Sequence, residues 1–297
     1  RPAVSSDGGV TWTLIAEPSA PSASDQYYSL AADPGSTTAA TQRMVVDNWK
    51  KLWFTANGGS SWTLIRDLDV SNPTGASSIR LAGTFWNSSV PNTIYVGTNV
   101  GVFVSTNGGT SWSLDTAHSG LPAGAQIVEF CGARHPTTGV PTLFAICVDA
   151  SSEVYGWTFN IDIDENYDNY LGLYTVPLSG STSWVQRPGP APDYKPFVRV
   201  DVPAGDSTRP WAVLNRTDIP GVFKSTDSGD HWTQVFQTSE TGGSNNQSST
   251  TGHQGDGDLP VKANGRHQHL QQAAQLACKA VGNGRPGGPF GRGGVGG

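Results

Sequence analysis

A run of carboxylates between two apolar stretches holds residue types that could do chemistry. The segment from about Gly156 to Tyr170 carries three aspartates, Asp162, Asp164 and Asp168. Its acids begin with the D-x-D-x-N spacing of calcium ligands, but the glycine and the final acid that a calcium loop requires are missing. We therefore predict that these aspartates bind substrate. A solvated acidic loop is the alternative.

A second candidate is an aspartate that follows an arginine after one threonine. The Asp218 carboxylate could give or take a proton, and Arg216 places a positive charge two residues away. The alternative for Asp218 is a polar turn residue. Two tryptophans near turns, Trp49 and Trp157, could stack on sugar rings.

A repeated motif sets the positions of these segments. Four copies follow the pattern S/T-x-D/N-x-G-x-x-W, and two of the intervals between their tryptophans are about 50 residues. The Asp or Asn caps backbone N–H groups of a tight turn, the glycine adopts a positive φ, and the tryptophan begins the next strand. We assign structural roles to the acid or amide and the tryptophan of each copy: Asp7, Trp12, Asn57, Trp62, Asn107, Trp112, Asp227 and Trp232. A degenerate further copy ends at Trp184.

This motif resembles the Asp-box, or BNR, repeat, and the resemblance covers residues 5–236. It implies an all-β fold, a β-propeller of four-stranded blades with Asp-box hairpins. A period near 50 residues with about four short strands also suits one blade on physical grounds. The blades are expected at about 26–66, 78–115, 125–187 and 195–237, after a remnant at 1–16. Residues 1–237 should therefore hold about four blades and a remnant, as a fragment of a propeller.

The hairpin geometry groups the candidate residues. If the motif joins the third and fourth strands of a blade, the turn between the second and third strands lies at the opposite end. Both carboxylate segments then fall at that opposite end, in adjacent blades.

The eight residues Arg216 to Phe223 resemble a segment of two-propeller xyloglucan-degrading glycoside hydrolases, R-T-D-[IV]-G-G-[AV]-[YF]. Pro220 replaces the first glycine of that segment. The resemblance implies that Asp218 is one of two catalytic carboxylates flanking a glycosidic bond, and that Arg216 contacts the substrate. In that family the second carboxylate comes from another propeller, so a second propeller domain is expected in the full-length protein. Asp47 lies near the equivalent place of its own blade, offset by one residue.

These features predict a secreted glycoside hydrolase-like propeller that acts on a plant cell-wall polysaccharide such as xyloglucan. Its partner would be a polysaccharide or oligosaccharide. The alternative is a non-catalytic propeller, similar to sortilin-type receptors or assembly factors, that binds protein ligands. Sialidases also contain Asp-boxes, but this sequence lacks the R-I-P motif of that family.

Composition narrows the classes of partner. The net charge of −6 argues against nucleic acid, and only 14% of residues are charged, which argues against long amphipathic helices. The longest apolar stretch, near Leu143 to Val148, is far too short to span a bilayer, so no membrane partner is expected. We expect no cofactor and no metal. Sequons at Asn87, Asn215 and Asn246 are compatible with an extracellular location, although no signal peptide is visible.

Two regions complete the sequence-based picture. Cys131 and Cys147 lie on apolar runs that look like paired strands, so a disulfide and two buried thiols are both open. Residues 238–297 are predicted to be a linker followed by a low-complexity, largely disordered tail, in which 267–281 could form one short helix.

Overall fold

The computed structural model describes residues 3–5, 10–16, 18, 29–36, 38–48, 50–71, 75–87, 92–149, 170–180, 183–189, 197–203, 205–214 and 221–237. Within these ranges the regular structure is β, apart from one short 3-10 turn at Ala39–Thr41. The first two strands, β1 (Ala3–Val4) and β2 (Thr13–Leu14), pair antiparallel with each other. The predicted tail, from residue 238 onward, lies outside the described residues.

The other described strands form four antiparallel sheets of four strands, each in chain order. Sheet 1 contains β3 (Leu30–Ala32), β4 (Met44–Asn48), β5 (Lys51–Thr55) and β6 (Thr63–Asp67). Sheet 2 contains β7 (Leu81–Asn87), β8 (Thr93–Thr98), β9 (Gly101–Ser105) and β10 (Ser113–Leu114). Sheet 3 contains β11 (Gln126–Arg134), β12 (Pro141–Val148), β13 (Tyr170–Pro177) and β14 (Val185–Arg187). Sheet 4 contains β15 (Phe197–Asp201), β16 (Trp211–Leu214), β17 (Gly221–Lys224) and β18 (Thr233–Gln237).

The residue pattern explains why the inner strands are stable. Seven consecutive residues of β12 are buried, Thr142 to Val148, because this strand has a packed neighbour on each face. A strand buried on both faces is continuously apolar, whereas a strand with one wet face alternates. The outer strand β14 is exposed or half-buried along its length, which suits its polar sequence.

Apolar side chains hold successive sheets together. One cluster, which includes Phe54 and Ile94, lies between sheets 1 and 2. A second, which includes Phe85 and Leu143, lies between sheets 2 and 3. A third joins sheets 3 and 4 and includes Phe144. Sheets 2 and 3 therefore each use both faces to pack against their two neighbours along the chain.

The first strands of the sheets approach one another closely. β7 contacts both β3 and β11, and β11 also contacts β15. At Gly97 in β8, an added Cβ would come within 2.3 Å of the Phe130 ring of β11. Such close approach needs glycine, because any side chain there would overlap the ring.

This arrangement is that of consecutive blades of a β-propeller. The all-β, four-stranded organisation predicted from the repeat is confirmed. The four sheets match the four predicted blade ranges, and the β1–β2 pair matches the predicted remnant.

Candidate functional site

The connections of each sheet lie at two ends. The repeat motifs connect third to fourth strands, as residues 56–62 do between β5 and β6. We call this the motif end. Because neighbouring strands run antiparallel, the connections from second to third strands lie at the opposite end. Both predicted carboxylate segments belong to such connections, since 149–169 joins β12 to β13 and 215–220 joins β16 to β17.

A short network of hydrogen bonds builds each motif turn. The Thr55 hydroxyl donates to Oδ1 of Asn57 at 2.9 Å, and the same oxygen accepts the Ser61 backbone N–H at 2.9 Å. The Gly59 N–H donates to the Thr55 hydroxyl oxygen at 3.0 Å. The copies that begin at Ser105 and Ser225 make the same three bonds. The motif residues in these copies therefore satisfy one another's hydrogen-bonding groups.

The fourth motif position is more restricted than the sequence pattern implies. Gly58 and Gly108 occupy it with φ values of 66° and 72°. Ser228 occupies it in the last copy with φ 63°, a region that residues with a Cβ resist. Its N–H donates to the Thr208 carbonyl oxygen at 2.9 Å, so the turn is tied to the rest of its sheet.

One copy carries a charged pair where two others carry neutral ones. The Asn57 amide donates to the Ser61 hydroxyl at 2.8 Å, whereas Oδ2 of Asp227 lies 2.5 Å from Nδ1 of His231. Desolvation opposes ionisation of Asp227, but hydrogen bonds from the His231 backbone and ring and from Ser225 outweigh it and lower the Asp227 pKa to about 2. The same hydrogen bond and the Asp227 charge raise the pKa of His231 above 6.5.

The motif tryptophans connect neighbouring sheets rather than packing only on their own hairpin. Trp62 donates from Nε1 to the Ala16 carbonyl oxygen, and Trp232 to that of Pro188, both at 3.0 Å. Trp112 instead donates to Gly109 of its own turn, and its ring meets Phe54 of the preceding sheet edge-on at 5.4 Å. The first motif tryptophan, Trp12, is 65% exposed.

Polar side chains also make contacts between sheets that the sequence does not predict. Arg43 donates from Nε to Asp33 at 2.7 Å, and its guanidinium lies 5.4 Å from the Trp86 ring centroid in sheet 2. Arg134 in sheet 3 donates to the side-chain oxygen of Asn87 in sheet 2 at 2.9 Å. The residues that meet across sheets, Arg43 with Trp86 and Arg134 with Asn87, are far apart in sequence, so no local pattern predicts these contacts. Asn87 is buried, which makes its sequon unsuited to carry a glycan.

A carboxylate–imidazole pair lies on the connection from sheet 2 to sheet 3. Nδ1 of His118 is 2.7 Å from Oδ2 of Asp115, and both side chains are largely buried. Burial and the charge of Asp115 raise the pKa of Tyr95. The D-x-x-H spacing was the only sequence signal for this pair. The Asp115–His118 pair lies in a connecting segment that also contains Ser119. The carbonyl oxygen of Ser119 accepts the backbone N–H of Trp184 at 2.8 Å.

Asp47 lies one residue before the end of the second strand of its sheet. This residue lies inside β4 and its side chain is fully buried. Oδ1 accepts the Ser29 N–H and Oδ2 accepts the Leu81 N–H, each at 2.8 Å. The carboxylate thus ties the start of β7 to sheet 1. Both oxygens of this carboxylate are therefore used inside the fold.

The predicted catalytic and binding residues lie outside the described residues: Asp218, Arg216, Asp162, Asp164, Asp168, Trp49 and Trp157. Asp7 of the first motif copy lies outside them too. The strands that flank their segments are described. Leu214 pairs with Gly221, and Val148 with Tyr170, so the two connections leave neighbouring sheets at the opposite end. In sheet 2 the corresponding connection consists of only Asn99 and Val100.

The two described cysteines are free. Cys131 is in register with Phe144, and Cys147 with Ile127. Cys131 packs on the cluster between sheets 3 and 4, while Cys147 lies in the cluster between sheets 2 and 3. A disulfide between them is therefore excluded. Burial raises the pKa of Cys147 to about 12, and burial with the charges of Asp201 and Glu129 raises the pKa of Cys131.

Two searches of the described part of the chain gave negative results. It contains no group of three or more His, Cys, Asp or Glu side chains arranged to hold a metal ion. It also contains no helix long and apolar enough to cross a membrane.

Comparison with known proteins found similar solved structures. A GH74 enzyme from Niastella koreensis is 19% identical with a TM-score of 0.45, and the match covers 69% of this chain and 28% of that enzyme. A GH74 xyloglucanase from Xanthomonas campestris is 17% identical with a TM-score of 0.44, covering 65% of this chain and 28% of that one. The propeller of Dos1 is 9% identical with a TM-score of 0.39, covering 67% of this chain and 45% of that one.

No protein-family model matches this chain, and no curated protein matches it. The chain spans 28% of the length of the two GH74 enzymes. Likeness at this level concerns the arrangement of strands. Any statement about chemistry has to come from the residues of this chain.

Proposed function

We propose that this chain is part of a secreted, glycoside hydrolase-like propeller that cleaves a plant cell-wall polysaccharide such as xyloglucan. The repeated turns would be Asp-boxes, and a second propeller in the full-length protein would close the cleft. The observation that carries the proposal is the segment from Arg216 to Phe223. It resembles the catalytic segment of xyloglucan-degrading propellers, and one residue separates it from the motif copy that follows.

The location of that segment supports a catalytic role. It runs through the connection from β16 to β17, away from the motif turns, whose side chains are used for internal hydrogen bonds. Six residues, 215–220, separate these strands, whereas two separate β8 from β9. A longer connection leaves side chains available for a ligand, as is usual where a rigid scaffold carries a binding loop.

The proposed chemistry is hydrolysis with two carboxylates. Asp218 would be one of them, acting as the acid or the base on one side of the glycosidic bond. Arg216 and the aspartates Asp162, Asp164 and Asp168 would bind sugar hydroxyls, and Trp49 and Trp157 would stack on sugar rings. The second carboxylate is not Asp47, because both of its oxygens accept backbone N–H groups inside the sheet.

Release of reducing ends from a panel of β-glucans that includes xyloglucan tests the proposal. The full-length protein, with its second propeller, and its Asp218→Asn variant would be compared. We expect Asp218→Asn to lower the rate by at least about 100-fold, because acid–base catalysis contributes this much or more. Asp227→Asn is the matched control, since Asn57 and Asn107 make the same turn bonds and this variant should keep full activity.

Two outcomes would contradict the proposal. If Asp218→Asn and Asp227→Asn kept equal activity, Asp218 would have no catalytic role. If the folded full-length protein, with its second propeller, released no sugar from any glycan, the proposal would be wrong, and a saturable protein ligand would be the next thing to seek.

A further inference from the structure

Two of the motif turns contain an asparagine that is followed directly by a glycine. Asn57 precedes Gly58, and Asn107 precedes Gly108. An Asn-Gly step is chemically labile, because glycine has no side chain to hinder attack of its backbone nitrogen on the asparagine side chain. In the last copy the same position is held by Asp227, which has no amide to lose.

The reaction at such a step is deamidation, and it needs no reactant other than water. The backbone nitrogen of Gly58 gives up its proton to water and forms a bond to Cγ of Asn57. The bond from Cγ to Nδ2 breaks, and that nitrogen leaves as ammonia. Water then opens the resulting succinimide ring. Opening at one carbonyl gives aspartate, and opening at the other gives isoaspartate, whose main chain is one atom longer.

The closed turns restrain the nucleophile of this reaction. The Gly58 N–H donates to the Gln42 carbonyl oxygen at 3.0 Å, and the Gly108 N–H donates to that of Asn92 at 3.1 Å. Each of these carbonyl groups belongs to the connection between the first two strands of the same sheet. The hydrogen bond has to break before the nitrogen can lose its proton and approach Cγ, and breaking it costs free energy.

The side-chain amide is restrained as well. Oδ1 of Asn57 accepts the Thr55 hydroxyl and the Ser61 N–H, each at 2.9 Å, and Nδ2 donates to the Ser61 hydroxyl at 2.8 Å. The copy at Asn107 makes the same three bonds, at 3.0, 2.9 and 2.8 Å. The carbonyl oxygen and the leaving nitrogen are thus both bonded within the turn. Rotation of the amide toward the backbone nitrogen therefore requires the turn to open.

We propose that Asn57 and Asn107 are deamidation sites that react when their turns open and that the closed fold protects. The two products would affect the turn differently. Aspartate fits, because Oδ1 of Asp227 accepts a hydroxyl and a backbone N–H in the same arrangement. Isoaspartate does not fit the turn of sheet 1, where an added Cβ at Gly58 would already lie 2.1 Å from the Ala39 carbonyl oxygen.

The packing around the two glycines orders the two sites. The contact between Gly58 and Ala39 is tight, whereas the atom nearest to an added Cβ at Gly108 is the Asn92 Cβ at 3.4 Å. Asn107 is also exposed, while its counterpart in sheet 1 is half-buried. The turn of sheet 2 is therefore the easier one to open, and Asn107 should react faster in the folded chain.

Peptide mass spectrometry tests the proposal, because deamidation changes the mass of the peptide that carries the asparagine. The full chain would be kept warm at mildly alkaline pH, with and without a denaturing concentration of urea, and digested at intervals. We expect both asparagines to react at least about tenfold more slowly in the folded chain, because local opening has to come first. In urea the two rates should become similar.

A substitution at Thr55 gives a site-specific result. Thr55→Ala removes a hydroxyl that binds Asn57 and Gly59, so Asn57 should react at least about threefold faster in the folded chain. The rate at Asn107 should not change, which would show that the variant is folded. Thr55→Ser is the matched control, because Ser105 makes the same bonds in sheet 2, and it should keep the wild-type rate.

Three results would overturn the proposal. The first is equal rates at Asn57 and Asn107 with and without urea, and the second is no reaction of either in urea. The third is equal acceleration of Asn57 by Thr55→Ser and Thr55→Ala. If Thr55→Ala unfolded the chain, Asn107 would react faster too, and the comparison of the wild-type chain with and without urea would decide.

Discussion

The carboxylate of Asp227 and the imidazole of His231 lie 2.5 Å apart, at the motif position where Asn57 meets Ser61 in another copy. The same turn is therefore closed by a neutral pair in one sheet and by an ionisable pair in another. Among the three motif turns with a described acid or amide, the closing pair of sheet 4 is therefore the one that depends on pH.

We expect His231 to titrate above 6.5 in the folded chain, because its partner stabilises the imidazolium. The pair stabilises the fold most between about pH 4 and pH 6. Its histidine contribution is lost as pH rises through the raised pKa of His231, and its aspartate contribution is lost as pH falls from 3.8 toward about 2. NMR titration of the His231 ring protons measures this directly. In Asp227→Asn the His231 pKa should fall, because the hydrogen bond and the charge of Asp227 are lost, and an unchanged pKa would show that the pair does not form in solution.

Replacing Ser228 by glycine should stabilise the chain by about 1 kcal/mol, because serine is held at a positive φ where glycine is not strained. The midpoint of urea unfolding should rise with an unchanged slope. The reverse change, Gly108→Ser, is the control. This change should lower the free energy of unfolding, because Gly108 has φ 72°, which serine resists. The added Cβ would not clash, since the nearest atom is the Asn92 Cβ at 3.4 Å. Equal stabilities of Ser228→Gly and the wild type would contradict the assigned strain.

Gly97→Ala should lower the free energy of unfolding by about 1–3 kcal/mol, the usual cost of overpacking. The added methyl group would come within 2.3 Å of the Phe130 ring, and both β8 and β11 are held in the core. Gly205→Ala is the matched control, because nothing lies within 4 Å of its added Cβ. If the two variants unfold at the same denaturant concentration, the result would contradict the close packing of Gly97 in sheet 2 against Phe130 in sheet 3.

Reductant should leave the melting temperature unchanged, because Cys131 and Cys147 are free and face different apolar clusters. Burial raises the Cys147 pKa to about 12, so little thiolate forms at neutral pH. In the native chain this thiol should react with a disulfide reagent only after unfolding, which a timed absorbance assay would detect. Rapid reaction of Cys147 before denaturant is added would contradict its burial.

Much of the fold could be predicted because its signals are local. The turn at Thr55 to Trp62 depends on residues no more than a few positions apart, so the sequence displays the hydroxyl, the cap and the glycine together. The spacing of such turns then predicts sheets of four strands. The sequence pattern leaves the residue type at the fourth motif position unrestricted, because Gly58, Gly108 and Ser228 differ. All three nevertheless share a positive φ.

Less of the candidate site could be predicted from the sequence. Asp47 and Asp218 have similar sequence contexts, yet the Asp47 carboxylate binds two backbone N–H groups, one of them from the next sheet. Sequence position cannot show that contact, because Leu81 meets Asp47 only when β7 packs against sheet 1. The roles of Asp218 and of the acidic segment remain predictions based on residue type and resemblance.

By itself the sequence determined the elements of this protein: the turns, their glycines and caps, and the four strands between successive motif copies. Those features follow from hydrogen bonds and backbone preferences within a few residues. Tertiary structure alone decided which aspartates are buried, which cysteines are kept apart and which tryptophans bridge sheets. These depend on contacts between residues that are far apart in sequence, and such contacts exist only once the sheets have packed face to face.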